Sequence, residues 1–118
     1  MPPAEDPKPH YEVEFKAFHA TRPGFRINEL RLSPTQTVPW HYHNQIQDTF
    51  YVLEGRLRVF LKGPDEVVEL GPCEVLLIAP RRPHLVTNAG PGSATFLNLQ
   101  GIGDFDFIPL GDVGQPHP

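Results

Sequence analysis

Residues 11–18, "YEVEFKAF", alternate apolar and polar side chains, the period of a strand with one buried face. The same alternation returns in "FRINELRL" (25–32) and "RLRVFLKG" (56–63). Shorter β-branched or aromatic runs stand at "DTFYVLEG" (48–55), "EVVEL" (66–70), "EVLLIAP" (74–80), "HLVTN" (84–88) and "ATFLNLQG" (94–101). "SPTQTVP" (33–39) reads as turn, Glu54-Gly55 as a hairpin turn, and "IGDFDFIPL" as a source of one short edge strand. Further turns are expected at Gly63-Pro64, Gly71-Pro72 and residues 81–83. No helical period exceeds two turns. Roughly eight to ten strands at 8–12-residue spacing predict an all-β sandwich or barrel.

Composition supports that picture. Fifteen prolines and ten glycines lie scattered between the apolar runs, as short strands joined by tight turns require. The 118 residues suffice for one domain with its own core. Residues 1–9 hold four prolines without apolar periodicity and read as a flexible arm; residues 10–110 form the domain and 111–118 a loose tail. A net charge of −4 without a basic block argues against a nucleic-acid or anionic-membrane surface. No apolar run approaches the roughly 20 residues of a membrane span, and the first residues lack the apolar core of a secretory signal. The single cysteine, Cys73, cannot form an internal disulfide, which fits a cytoplasmic protein.

Chemistry concentrates in "PWHYHNQIQDTFYVLEG", residues 39–55. On a strand, side chains at i and i+2 share a face, so His41 and His43 can converge on one cation while Tyr42 points away. Asp48 follows after a short turn, and His84 supplies a third imidazole at the start of a later strand. A polar loop between two strands would carry the same His-x-His pair, so the pair alone decides little.

The surrounding framework decides more. "HYHNQIQDTFYVLEG" resembles the first motif of the cupin superfamily: His-x-His, a spacer, an acid and a glycine. "GPCEVLLIAPRRPHLVTN" resembles the second, running from Gly71 to His84 and Asn88. The resemblance implies a double-stranded β-helix, a jelly-roll barrel of two antiparallel sheets. It also places His41, His43 and His84 at the three histidine-ligand positions of one divalent transition metal (Fe, Mn, Ni, Cu or Zn). Two departures stand out. Asp48 occupies the position of a ligating glutamate, and its shorter side chain leaves two roles open, metal ligation or a hydrogen bond to a ligand histidine. Arg81 falls where a glycine is usual, so the local turn is expected to differ.

The function expected is a metal-dependent, dioxygenase-like enzyme acting on a small oxygen-bearing molecule, with Asp48 as the catalytic candidate. A ligand-binding or sensing cupin without turnover is the alternative. Small cupins form dimers, and a homodimer is expected here, aided by the arm and by Trp40 and Tyr42 on the face away from the histidines. Phe50, Phe60 and Phe96 read as core or pocket wall. His10, His19 and His117 read as solvated, Cys73 as unreactive, and Arg81 and Arg82 as a solvated turn in preference to a clamp for a substrate carboxylate.

Overall fold

The structure, a computed structural model, describes residues 11–111. The N-terminal arm with His10, and His117 in the tail, lie outside the described residues.

Ten strands form in chain order: β1 (Phe15–Arg22), β2 (Phe25–Leu32), β3 (Thr37–Tyr42), β4 (Gln47–Glu54), β5 (Leu57–Leu61), β6 (Glu66–Leu70), β7 (Val75–Ile78), β8 (His84–Asn88), β9 (Ala94–Gly101) and β10 (Ile108–Pro109). They assemble into two five-stranded antiparallel sheets, β1-β2-β9-β4-β7 and β10-β3-β8-β5-β6. The all-β architecture of two facing sheets is the one expected. Four predicted strands, 25–32, 66–70, 84–88 and 94–101, match to the residue.

Three local expectations are corrected. The first strand runs from Phe15 to Arg22, four residues later than its alternation suggested. Pairing is set by the Pro23-Gly24 turn, with Gly24 at φ +78°, so β1 extends backward from Arg22 opposite β2. Tyr11 and Val13 still pack on the core, which explains their periodicity without a ladder. His19, read as solvated, lies in β1 at a register shift, where Nε2 reaches Glu29 Oε1 at 2.8 Å. "SPTQTVP" ends in strand, not turn, because Thr37 opens β3.

The third correction concerns Gly55. β4 and β5 belong to different sheets, so Glu54-Gly55 is a crossing point and not a hairpin. Gly55 has φ +80°, and a Cβ there would lie 2.5 Å from Ser93 O and 2.8 Å from Ala94 Cα. Both contacts are backbone, which cannot step aside. Gly55→Ala should therefore destabilise the fold by about 1–3 kcal/mol or more, measured as a lowered urea midpoint at unchanged slope.

Between the sheets lies an apolar core containing Leu30, Leu32, Val52, Val59, Val86 and Phe96. It fills one end of the barrel. Along the inner face of the first sheet the cross-strand rows change character: Leu30, Phe96 and Val52 form one row, Asn28, Asn98 and Phe50 the next, Arg26, Gln100 and Asp48 the last. The core grades into a buried polar end.

Candidate metal centre

His41 owes its inward direction to a β-bulge. Val38 pairs with Val86 and His41 with His84, three steps on β3 against two on β8. An odd offset of three would put Val38 and His41 on opposite faces; the bulge rotates the chain so that both point inward. Trp40, expected on the far face, is 2% exposed and has Lys62 Nζ 5.2 Å from its ring centre. It is covered within the chain and not offered to a partner.

His41, His43, Asp48 and His84 come together as the sequence suggested. All are buried, and one ligand atom from each lies within 4.8 Å of the others. The three imidazoles are held alike: Nδ1 of His41 donates to Pro39 O at 2.7 Å, Nδ1 of His84 to Arg82 O at 2.8 Å, and Nδ1 of His43 to Asp106 O. Anchoring each Nδ1–H on a carbonyl turns each Nε2 toward the cluster centre. Asp48 Oδ2 stands 2.9 Å from His43 Nε2 and 3.1 Å from His84 Nε2. The His43 nitrogen is off the line of a hydrogen bond, leaving a buried polar atom without a hydrogen-bond partner among the described residues.

Electrostatics follow from this crowding. Burial raises the Asp48 carboxyl, but the imidazoles of His43 and His84, at 2.9 and 3.1 Å, outweigh it and hold the group far below the usual carboxylate range. For His43, burial favours the neutral ring, yet the Asp48 carboxylate wins and the ring titrates above its usual value. His41 is pushed well below, first by burial and then by His84 and His43. His43 therefore holds a proton more firmly than a free imidazole, and a cation taking its Nε2 would have to displace it. Three Nε2 atoms, one anionic oxygen and an orphaned buried nitrogen fit a divalent transition metal.

A wider network, missed in the sequence, supports the acid. Gln100 Nε2 donates to Asp48 Oδ1 at 2.8 Å, while its Oε1 accepts from Arg26 Nε at 2.8 Å and Asn28 Nδ2 at 3.1 Å. The signal was available: Arg26 and Asn28 in "FRINELRL", and Asn98 and Gln100 in "ATFLNLQG", occupy the inward positions of strands whose other inward residues are apolar. Polar groups there need a reason. Phe105 and Phe107 were also missed, having only loop context. Phe107 stacks on His41 (4.2 Å between ring centres, 15° between planes), and Phe105 carries the Arg26 guanidinium 3.3 Å above its ring. Together they help enclose a small cavity of ≈ 20 Å³ beside His41, His43 and Asp48.

Other candidates fall away from the cavity. Arg82 donates to Lys62 O, Pro64 O and Glu66 Oε1, tying two turns together. Arg81 is exposed, and at φ +67° it takes a left-handed conformation that glycine adopts readily. The turn therefore has a glycine-like backbone at this position. It brings Arg81 N within 2.6 Å of His43 O, fastening the two motifs. Asn88 serves the β8–β9 loop, bonding Leu32 O, Gly92 O and Gly90 N. Phe50 and Phe96 are core, whereas Phe60 is only partly buried. Cys73 is exposed at φ +70°.

A double-stranded β-helix with three inward histidines and an acid at one end defines a cupin. The profile of the Cupin domain family matches residues 28–99, and the chain belongs to that family. Its fold is similar to an uncharacterized conserved protein with a double-stranded β-helix domain from Klebsiella pneumoniae subsp. pneumoniae (TM-score 0.71, 21% identity, 85% of this chain and 86% of that one). It is also similar to an oxalate oxidase (0.69, 17%, 80% and 52%) and to the Lactobacillus farciminis oxalate decarboxylase (0.67, 17%, 74% and 27%). The chain thus spans about half of the oxidase and a quarter of the decarboxylase. No curated protein sequence matches it. Among the described residues no helix is long and apolar enough to cross a membrane.

Proposed function

We propose that this protein is a metal-dependent cupin enzyme that oxidises a small oxygen-bearing molecule. The observation carrying this reading is the convergence of four buried ligand atoms, each imidazole anchored through Nδ1, beside a cavity that admits only a small molecule. When bound, a divalent metal would supply a Lewis acid with coordination positions left over for substrate or dioxygen. His41, His43 and His84 would hold it through Nε2. We assign Asp48 to direct ligation, because its carboxylate faces the Nε2 atoms while backbone carbonyls already occupy every Nδ1. Its low proton affinity suits a ligand and charge partner better than a proton acceptor. Gln100 would keep Oδ1 in place, and Phe105 and Phe107 would exclude bulk water. Similarity to oxalate-handling proteins agrees with a compact substrate bearing adjacent oxygens. The exposed Cys73, without a possible disulfide partner in the chain, agrees with a cytoplasmic setting.

The test is metal analysis followed by anaerobic Fe(II) loading and oxygen uptake with enols, catechols and 2-oxo acids. Uptake dependent on one substrate supports the reading. Stoichiometric metal without turnover transfers the assignment to a ligand-binding cupin.

We also propose a homodimer, with the outer face of the first sheet as its surface. Register aligns Leu99, Thr49 and Leu77 in one outward row and Leu97, Tyr51 and Val75 in the next, and Leu77 is 59% and Val75 46% exposed. An apolar strip of this kind suits an isologous contact with a second copy. Leu77→Lys should shift the protein to monomer in sedimentation; a wild-type chain that is monomeric at tens of micromolar overturns the proposal.

A further inference from the structure

The Asn28 and Asn98 side chains face each other across β2 and β9, one row from the Arg26, Gln100 and Asp48 row, about 7 Å along the strands. Both residues are buried, at 2% and 7% exposure, and both line the cavity beside the histidines. Their carbonyl oxygens, Asn28 Oδ1 and Asn98 Oδ1, have no hydrogen-bond partner among the described residues. The direction of the Asn28 amide is dictated by its neighbours. Gln100 turns its amide nitrogen to the Asp48 carboxylate, so its Oε1 must face away and accept from Arg26 Nε and Asn28 Nδ2. Asn28 therefore spends its nitrogen on Gln100 and presents Oδ1 as a bare acceptor. Burying an acceptor unmet is costly, and native interiors avoid it unless something supplies the donor.

We propose that Asn28 and Asn98 form a donor-reading subsite, which selects ligands carrying a hydroxyl or N–H next to the oxygen that faces the metal cluster. This rests on the metal-centre reading above and narrows its substrate class. Hydroxy acids, enediols and hydroxamates qualify; simple carboxylates and their O- or N-alkylated analogues leave the amide oxygens unmet. A single trapped water is the competing occupant, since ≈ 20 Å³ holds one water, or the donor group of a larger ligand and no more.

The experiment uses full-length protein loaded with Co(II), whose visible spectrum reports the metal before any ligand is added. Acetohydroxamate and N-methylacetohydroxamate offer the same chelating oxygens and differ by one N–H. The parent compound should bind about tenfold more tightly, the worth of one buried hydrogen bond. In the Asn28→Leu/Asn98→Leu variant the ratio should fall to about one while the cobalt spectrum persists. If the double variant fails to fold, Asn98→Leu alone should show a reduced ratio. Equal affinity in the natural protein overturns the subsite in favour of a water, and a preference that survives the substitutions assigns it to steric exclusion of the methyl group, which overturns it as well. Absence of the cobalt spectrum defeats the metal centre instead. A metal-free readout then still tests the subsite: Asn98→Leu, which removes a bare acceptor, should leave the thermal midpoint unchanged or higher, and a fall of several degrees would show that the amide has a structural partner.

Discussion

His84→Ala should abolish metal binding. Its ring is 1% exposed, wedged between Asp48 and Phe50, with Nδ1 fixed on Arg82 O and Nε2 3.1 Å from Asp48 Oδ2. Losing a contact that merely orients a ligand costs about 10–100-fold in affinity, so losing a ligand itself should exceed roughly 100-fold. His84 lies next to the core, and a void of that size also costs stability, so the comparison is made on folded protein, verified by its β-sheet circular dichroism. Calorimetric titration and elemental analysis then separate the cases. A variant with undiminished metal content removes His84 from the site.

Asp48→Asn should have the second large effect, and its sign depends on pH. The carboxylate is 1% exposed and stands 2.9 Å from Nε2 of His43, whose ring it raises. Breaking such a pair leaves an uncompensated buried charge, at about 3–5 kcal/mol. In the metal-free wild type, three groups shape stability against pH. Asp48, depressed, contributes fully above its unfolded value near 4 and loses that contribution progressively as pH falls below it. His41, also depressed, stays neutral in the fold while the unfolded chain takes up its proton, so stability falls as pH drops below about 6.5. His43 is raised: its contribution is complete below about 6.5 and disappears as pH climbs through the elevated value. Metal-free stability should therefore peak near pH 6.5. Asp48→Asn should erase the alkaline decline, because it removes what raises His43. Metal affinity should run the other way and increase with pH, since the proton on His43 must leave. Urea unfolding from pH 5 to 9 checks the first, and titration in buffers of different ionisation enthalpy counts the released proton. If Asp48 ligates directly, Asp48→Glu rescues metal binding that Asn does not; if it only orients a histidine, both lose alike.

Much of this was legible in the chain. His41, His43 and His84 were marked by spacing and by two motifs in order, and strands such as 66–70 and 94–101 announced themselves through β-branched or aromatic runs between turn residues. What was not legible depended on partners distant in sequence. Gly55 looks like a hairpin residue until Ser93 and Ala94 arrive beside it from the other sheet. The bulge that turns His41 inward exists only in the pairing of β3 with β8. Phe105 and Phe107 alternate with aspartates like an edge strand, but they lie in the loop before β10, and only the fold brings that loop over the site. The polar row of Arg26, Gln100 and Asp48 was half visible, as polar residues at inward strand positions, but its hydrogen bonds join residues more than fifty positions apart.

The most direct test is a crystal structure of protein incubated with Mn, Fe, Co, Ni, Cu or Zn, with anomalous scattering measured at the metal edge. One peak about 2.0–2.2 Å from Nε2 of His41, His43 and His84 and from an Asp48 oxygen is the predicted result. A folded protein with the four side chains in place and no anomalous peak among them, whichever metal is supplied, would contradict it.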